Sequence, residues 1–360
     1  MRYAMFGKTG LRVSELCLGT MTFGEDWGWG ASRDTCARIL DLFDEAGGNF
    51  VDTANNYTGG SSETILGELL DGRRDRFVLA TKYTLQTEPG DPNSAGNHRK
   101  SLIRSLDTSL RRLRTDYVDL LWVHARDTLT PVEEVMRALD DQVRAGKVLY
   151  AGVSDWPAWE VAQATTLAEL RGWSPFIGLQ IEYSLLERTV ERELVPMALG
   201  LDLGVAAWSP LAAGRLTGKY LADATHPDAE SGRLVTLNRD SDERTDAIVR
   251  EVVDVARSLG VSAAQVALAW LRERPGTVVP IVAATKEDQF RDNLASLDLR
   301  LDDTARERLD RASRVELGFP YAFLRTDPLL KQIIYSDRWE DVDDRRSTVR
   351  RVPADDPALL

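Results

Sequence analysis

Residues suited to proton transfer are concentrated where short apolar runs of this sequence end. Asp52 and Lys82 each end such a run, and Tyr57 follows Asp52 by five residues. His124 ends the next apolar run. Taken singly, each residue has an ordinary role. An aspartate after a strand caps a turn, a strand-end lysine is solvated, a loop tyrosine covers apolar side chains, and a histidine in an apolar run is a satisfied core residue.

Taken together, the four side chains suit the reduction of a carbonyl group. A tyrosine phenol, whose pKa in water is about 10, is a poor proton donor at neutral pH, and a neighbouring lysine ammonium favours the phenolate. A carboxylate keeps that ammonium charged and oriented, because an unpaired buried charge is costly. An imidazole adds a hydrogen bond to the substrate oxygen, where negative charge develops. None of the four is a hydride source, so a cofactor has to supply the hydride.

The order of elements predicts a scaffold that brings successive strand ends together. Apolar runs alternate with helical patterns, and most are apolar at successive positions, as in parallel strands buried on both faces. This order predicts an α/β protein, a (β/α)8 TIM barrel with function at the carboxyl ends of its strands. An open doubly wound sheet is the alternative, but GWGASR at 28–33 lacks the third glycine of a dinucleotide fingerprint. The predicted strands are Leu16–Gly19, Asn49–Asp52, Phe77–Lys82, Tyr117–His124, Val148–Ser154, Phe176–Glu182, Gly204–Trp208 and Val278–Ala283.

The chain ends and two long connections fall outside the strand–helix units. The opening MRYAMFGKTGLRVSELCLG predicts an N-terminal β-hairpin around a Gly-Lys-Thr-Gly turn, a cap that plugs the lower end of the barrel. Residues 85–97 and 209–242 are rich in turn residues and are expected to be surface loops. We expect residues 1–318 to form a single barrel domain and residues 319–360 a peripheral C-terminal extension.

The composition excludes several classes of partner and location. A net charge of -12 disfavours nucleic acid and anionic membranes. No apolar run reaches about 18 residues and no signal-peptide pattern is present. Cys17 and Cys36 provide no disulfide framework, so a cytoplasmic protein is expected. The 3 histidines include no pair at ligand spacing, which argues against a metal-dependent barrel hydrolase. A homo-oligomer is left open.

The segments that carry the four groups resemble a known family. DTANNY (52–57), LATKY with Lys82, and LLWVHARD with His124 resemble the catalytic tetrad of the aldo-keto reductase superfamily. The likeness extends from about residue 2 to residue 313, and the opening is similar to the aryl-alcohol dehydrogenase-like and potassium-channel β-subunit-like branch. The resemblance implies that an aldehyde or ketone, such as an aryl aldehyde or a keto-sugar, is reduced by direct hydride transfer. Tyr57 is then the general acid, assisted by Asp52, Lys82 and His124.

The resemblance also implies a site for a nicotinamide cofactor. Family members more often have asparagine where Asp155 stands, and a cap of the following helix is the alternative role for this aspartate. Thr285 stands where the family often has an arginine for the 2′-phosphate, with Lys286 beside it. NADPH is therefore expected, and NADH is left as an alternative. The expected cofactor contacts are Ser154, Asp155, Gln180, Trp208, Ser209, Leu211, Gly214, Lys219, Lys286, Gln289 and Asn293.

The substrate pocket and a second class of function complete the expectations. Trp27, Trp29 and Tyr83 are expected to line a broad apolar pocket suited to a flat ring, although the tryptophans could equally pack on their own loop. The potassium-channel β-subunits that resemble this chain bind the nucleotide as sensing or docking modules, with little turnover. The sequence names neither the physiological substrate nor the favoured direction of the reaction.

Overall fold

Eight parallel strands form a closed barrel in the computed structural model, which describes residues 1–221, 242–326, 328–336, 338 and 341. The strands follow one another around the barrel in chain order, and the last pairs with the first to close it. The predicted (β/α)8 fold is thereby confirmed. The strands are β1 (Tyr3–Met5) and β2 (Arg12–Ser14), which form a separate hairpin, and the barrel strands β3 (Cys17–Gly19), β4 (Phe50–Asp52), β5 (Val78–Tyr83), β6 (Val118–Val123), β7 (Val148–Ser154), β8 (Phe176–Glu182), β9 (Gly204–Trp208) and β10 (Val278–Val282).

Amphipathic helices surround the barrel. The predicted stripe of the first helix is buried, and Ser32 caps this helix by accepting a hydrogen bond from the amide of Thr35. Residues 85–97 are irregular, as predicted, whereas residues 222–241 of the predicted loop 209–242 lie outside the described residues. In the described chain the α-helices are α1 (Arg33–Glu45), α2 (Ser61–Leu69), α3 (Arg99–Leu113), α4 (Val132–Arg144), α5 (Ala158–Arg171), α6 (Leu194–Leu201), α7 (Glu243–Leu259), α8 (Ala263–Arg272), α9 (Glu287–Ala295), α10 (Asp303–Ser313), α11 (Tyr321–Thr326) and α12 (Pro328–Tyr335).

The strands alternate between the barrel interior and the layer beneath the helices. On β5, Val78 and Ala80 belong to the interior apolar cluster, whereas Leu79 and Tyr83 belong to the cluster packed against the helices. This period of two is the geometry of an extended strand. A side chain at position 82 therefore points into the barrel, and its neighbours at 81 and 83 point out.

The hairpin of β1 and β2 covers the amino-terminal end of the barrel, as predicted. Its Phe6 is fully buried, with its ring centroid 5.4 Å from that of Phe50 and 6.3 Å from that of Trp122. A Cβ added at Gly178 or Gly204 would lie 2.4 Å or 2.5 Å from the Phe6 ring. Glycines on two strands thus leave the space that Phe6 fills, which turns the lower end into packed core.

The chain leaves the barrel after α10 and continues into α11 and α12. Arg192 Nε donates to the carbonyl oxygen of Glu316 at 2.9 Å, and Arg244 Nη2 donates to that of Arg314 at 2.9 Å. These bonds fasten the start of the C-terminal segment to the side of the barrel. Among the described helices none is long and apolar enough to cross a membrane alone, and α7 with α8, bent by 99°, passes that test only as a pair.

Candidate active site

The carboxyl ends of β4 and β5 place an ion pair inside the barrel. The fully buried Lys82 ammonium donates to Asp52 Oδ2, to the carbonyl oxygen of Thr53 at 2.8 Å and to the Tyr57 hydroxyl at 3.0 Å. Gln180 Nε2 donates to the other carboxylate oxygen of Asp52 at 3.0 Å. Asp52 is therefore not a turn cap, and Lys82 is not a solvated charge.

The ammonium of Lys82 is kept charged by its surroundings. Burial by itself lowers the pKa of Lys82, but the charges of Asp52 and Tyr57 and the hydrogen bonds to them outweigh burial and raise it above its ordinary value. A buried cation that is surrounded by acceptors resists deprotonation. Lys82 therefore keeps its proton at neutral pH and donates a hydrogen bond to the Tyr57 hydroxyl.

His124 completes the cluster from the end of β6. Its ring stands edge-on to Tyr57, with centroids 6.0 Å apart. Burial, followed by the charge of Lys82, holds the pKa of His124 well below its usual value, so the imidazole is neutral. Within the described residues, the buried Nδ1 atom of His124 has no hydrogen-bond partner, unlike that of a satisfied core histidine.

Of the three predicted pocket residues, Trp27 contacts the cluster, Trp29 packs on Trp27, and Tyr83 lies elsewhere. Trp27 packs edge-on to Tyr57 with centroids 6.5 Å apart, and Trp29 lies 5.6 Å from Trp27. Tyr83 is instead fully buried beneath the helices and donates its hydroxyl to the carbonyl oxygen of Asn97 at 3.3 Å. The prediction for Tyr83 was wrong, because a strand that points Lys82 inward must point the next residue outward.

The loop after Tyr57 has a conformation that sequence reasoning missed. Thr58, Gly59 and Gly60 have positive φ angles of 46°, 64° and 102° in succession. A β-branched residue is rare in this region, so Thr58 must be held there. Its Oγ1 donates to the carbonyl oxygen of Phe23 at 2.9 Å and accepts from the amide of Ser62 at 2.9 Å. Two successive glycines in the sequence are typical of a turn, but they do not indicate this bonding.

The ends of β7, β8 and β9 gather the residues expected to hold the nicotinamide. Asp155 accepts from Ser154 Oγ at 3.1 Å and from Trp208 Nε1 at 3.2 Å, and its φ is 55°. Burial raises the pKa of Asp155, and the bonds from Trp208 and Ser154 partly offset that rise. Helix α5 begins after Pro157, which is its N-cap residue, so the alternative role of Asp155 as that cap is wrong. Trp208 is partly exposed at the strand end, which suits a stacking surface.

The segment after β9 fits a phosphate-bearing cofactor. Ser209 and Gly214 have φ angles of 53° and 89°, and a Cβ added at Gly214 would lie 3.5 Å from Lys219 Nζ. The amides of Ala212 and Gly214 are bonded within the turn, to the carbonyl oxygens of Ser209 at 2.8 Å and Leu211 at 2.9 Å. The charge offered to an anion here is therefore that of the lysine rather than that of these two amides.

Helix α9 begins at the same end of the barrel. Lys286 is its N-cap residue and is exposed, as is Gln289, whereas Asn293 lies buried one turn further along. Glu287, in the first turn, forms an ion pair with Arg38 of α1. The helix N-terminus and the Lys286 ammonium are positive, and the unpaired charge that opposes them in the first turn is that of Asp288, since Glu287 is paired with Arg38 among the ion pairs described.

Comparison with known proteins identifies the family of the chain. The model of the Aldo/keto reductase family matches residues 15–314, which include every barrel strand. The chain belongs to this family. It is 39% identical over 337 residues to the norsolorinic acid reductase of Emericella nidulans, covering 89% of this chain and 84% of the relative. It is 36% identical over 330 residues to the aryl-alcohol dehydrogenase (NADP+) of Phanerodontia chrysosporium, covering 87% of this chain and 86% of the relative. An uncharacterized oxidoreductase of Bacillus subtilis is 39% identical over 315 residues, covering 84% of this chain and 93% of the relative.

Membership of the family makes the protein an oxidoreductase and supports carbonyl reduction. The position of Asp52, Tyr57, Lys82 and His124 agrees with that activity, because they meet at the carboxyl ends of barrel strands.

Proposed function

We propose that the protein reduces an aryl aldehyde or a related ketone to the alcohol, with NADPH as the hydride donor and Tyr57 as the general acid. The observation that carries this proposal is the 3.0 Å hydrogen bond from the buried Lys82 ammonium to the Tyr57 hydroxyl. A charged donor at a phenol stabilises the phenolate that is left when the phenol gives up its proton. This arrangement has no evident purpose in packing alone.

Four side chains have different roles in the proton transfer. The Tyr57 hydroxyl gives its proton to the carbonyl oxygen as negative charge develops there. The Lys82 ammonium stabilises the phenolate, and Asp52 keeps the ammonium in place. Neutral His124 donates an N–H hydrogen bond to the same oxygen and orients it. Bound NADPH supplies the hydride to the carbonyl carbon.

The cofactor is assigned to the carboxyl ends of β7, β8 and β9 and to the segments that follow β9 and β10. Ser154, Asp155 and Gln180 hold the carboxamide, and Trp208 stacks beside the ring. Lys219 is directed to the diphosphate, with Ser209, Leu211 and Gly214 forming the turn around it. Lys286 neutralises the 2′-phosphate, and Gln289 and Asn293 contact the adenosine. NADP+ in the name of one relative favours the phosphorylated cofactor.

An aromatic wall favours a flat substrate. Trp29, Trp27 and Tyr57 are in sequential ring contact, and Trp27 is 39% exposed. An exposed indole beside a general acid, backed by the partly exposed Trp29, provides apolar area for an aryl group. The name of one relative, an aryl-alcohol dehydrogenase, agrees with this substrate class.

The experiment that tests this proposal measures the loss of NADPH absorbance in the presence of an activated aryl aldehyde. The rate for the wild type is compared with that for Tyr57→Phe. Loss of the general acid is expected to lower kcat by about 10²–10⁴-fold. NADPH binding, measured by the quenching of protein fluorescence, should be unchanged. Tyr3→Phe removes a hydroxyl on the distant hairpin, bonded to the carbonyl oxygen of Gly47, and is the matched control.

Two results would count against the proposal. Equal turnover by Tyr57→Phe and wild type would remove Tyr57 from the chemistry. A wild type that binds NADPH but reduces neither aryl nor alkyl aldehydes and ketones would favour a nucleotide-sensing module. Repeating the assay with NADH tests the cofactor, because Lys286 offers nothing to a nucleotide that lacks the 2′-phosphate.

A further inference from the structure

The loop that carries Tyr57 is anchored on its outer side by one residue from a distant part of the sequence. Arg112, in the last turn of α3, donates from Nη1 to the carbonyl oxygen of Asn55 at 2.8 Å. Its guanidinium also lies against Gly60, where an added Cβ would be 2.2 Å from Arg112 Cζ. One side chain thus contacts the loop on both sides of Tyr57.

A buried carboxylate orients this arginine and connects it to the strand of the lysine. Glu63, in the first turn of α2, is fully buried and accepts from Arg112 Nη1 at 3.2 Å through Oε2. Its Oε1 accepts from Thr81 Oγ1 at 2.7 Å. Thr81 immediately precedes Lys82 on β5, and its side chain points outward because that of Lys82 points inward. Arg112 and Glu63 therefore bridge the two segments whose side chains meet in the 3.0 Å bond.

The loop needs this support because its backbone is strained. Left-handed residues cost of order 1–3 kcal/mol each when they are not glycine, and such conformations persist only where the surroundings fix them. Thr58 is fixed from the inner side by Phe23 and Ser62. Arg112 is the corresponding support on the outer side.

We propose that Arg112, oriented by Glu63, is a positioning residue that holds the loop 55–60 so that the Tyr57 hydroxyl stays within hydrogen-bond reach of Lys82. The inference rests on the proposed function, since it assigns a role in the same proton transfer. Arg112 itself touches neither substrate nor reacting atoms. It acts through the backbone of Asn55 and Gly60.

The decisive variant is Arg112→Lys. Lysine keeps a cation beside Glu63, so the charge of the buried carboxylate stays balanced. An ammonium lacks the planar guanidinium fork, however, and cannot pack on Gly60 while it donates hydrogen bonds to both Asn55 and Glu63. We expect kcat with an aryl aldehyde to fall by about 10²-fold, since small displacements of a catalytic group have effects of this size. The KM and the Kd for NADPH should both match those of the wild type, because the segments that hold the cofactor lie at other strands than β4 and β5. Arg111→Lys is the matched control, since the exposed Arg111 bonds only to Thr108 Oγ1 among the hydrogen bonds described for its side chain.

A second measurement does not depend on turnover. Amide hydrogen exchange in residues 55–60 should be faster in Arg112→Lys than in the wild type and unchanged in Arg111→Lys, and Arg112→Met should show the same local effect more strongly. Wild-type kcat and wild-type exchange in Arg112→Lys would overturn the inference. So would a parallel loss of kcat, NADPH affinity and thermal stability, which marks a purely structural residue. A wild type that reduces no carbonyl would defeat the proposed function instead, and exchange in the loop would still decide the role of Arg112.

Discussion

At the scale of single residues, the site depends on charges that are removed from water yet remain balanced. Lys82 is fully buried and stays cationic because Asp52 and Tyr57 outweigh the cost of its burial. The pKa of His124, in the same cluster, shifts in the opposite direction because burial and the same ammonium both disfavour its protonation. Two basic side chains in one pocket thus hold different protonation states at neutral pH, which separates the ammonium donor from the neutral imidazole.

The neutral state of His124 predicts a dependence of stability on pH. Its pKa is lowered in the folded protein, so below about pH 6.5 the unfolded chain binds a proton that the folded chain does not, and stability falls as the pH falls. Urea unfolding of wild type and His124→Asn at pH 7.5 and 5.5 measures this. The wild type should lose about 1 kcal/mol more than the variant over that interval. An identical loss in both proteins would show that His124 titrates normally.

At the scale of elements, two helical glycines predict opposite outcomes for the same substitution. A Cβ at Gly67 on α2 would lie 2.3 Å from the carbonyl oxygen of Arg112 and 2.7 Å from Leu113 Cα, so α2 and α3 meet by backbone contact. At Gly200 on α6 an added Cβ meets nothing within 4 Å. We expect Gly200→Ala to raise the free energy of unfolding by about 0.5–1 kcal/mol and Gly67→Ala to lower it by about 1–3 kcal/mol. Urea denaturation distinguishes the two, and a stabilised Gly67→Ala would show that α2 and α3 separate freely.

The elements themselves were largely predictable, and the reason is their burial. Parallel strands buried on both faces have continuous apolar runs, so the predicted Val148–Ser154 and Phe176–Glu182 coincide with β7 and β8. Tyr83 was misplaced because a continuous run hides which residues point inward, although the inward Lys82 could have fixed that register. The contacts of Arg112 could not be predicted, since nothing in an arginine on α3 indicates that Asn55, 57 positions earlier, receives its hydrogen bond.

At the scale of the whole molecule, a buried charged cluster fastens α10 to α8 and to the segment after β8. Asp310 Oδ1 on α10 accepts from Trp270 Nε1 at 2.9 Å, from Arg274 Nη1 at 3.1 Å and from Arg188 Nη1 at 3.3 Å. Arg188 also pairs with the buried Glu191, so the cluster joins α8, α10 and the segment after β8. Two carboxylates thus serve two guanidiniums that are almost fully removed from water: Glu191 and Asp310 share Arg188, and Asp310 also pairs with Arg274.

The variant Asp310→Ala therefore tests how much this cluster contributes to holding α10 against the barrel. Removing this carboxylate leaves Arg188 paired with Glu191 but takes from Arg274 the carboxylate it pairs with among the described residues, so we expect the free energy of unfolding to fall by about 3–5 kcal/mol. Asp303→Ala on the same helix is the control, because the side chain of Asp303 is 91% exposed and its ion pair with Arg306 contributes about 1 kcal/mol at most. Urea unfolding compares the two variants directly. Equal stabilities would mean that water reaches Arg274 once the carboxylate is gone, and that apolar packing alone holds α10 against the barrel.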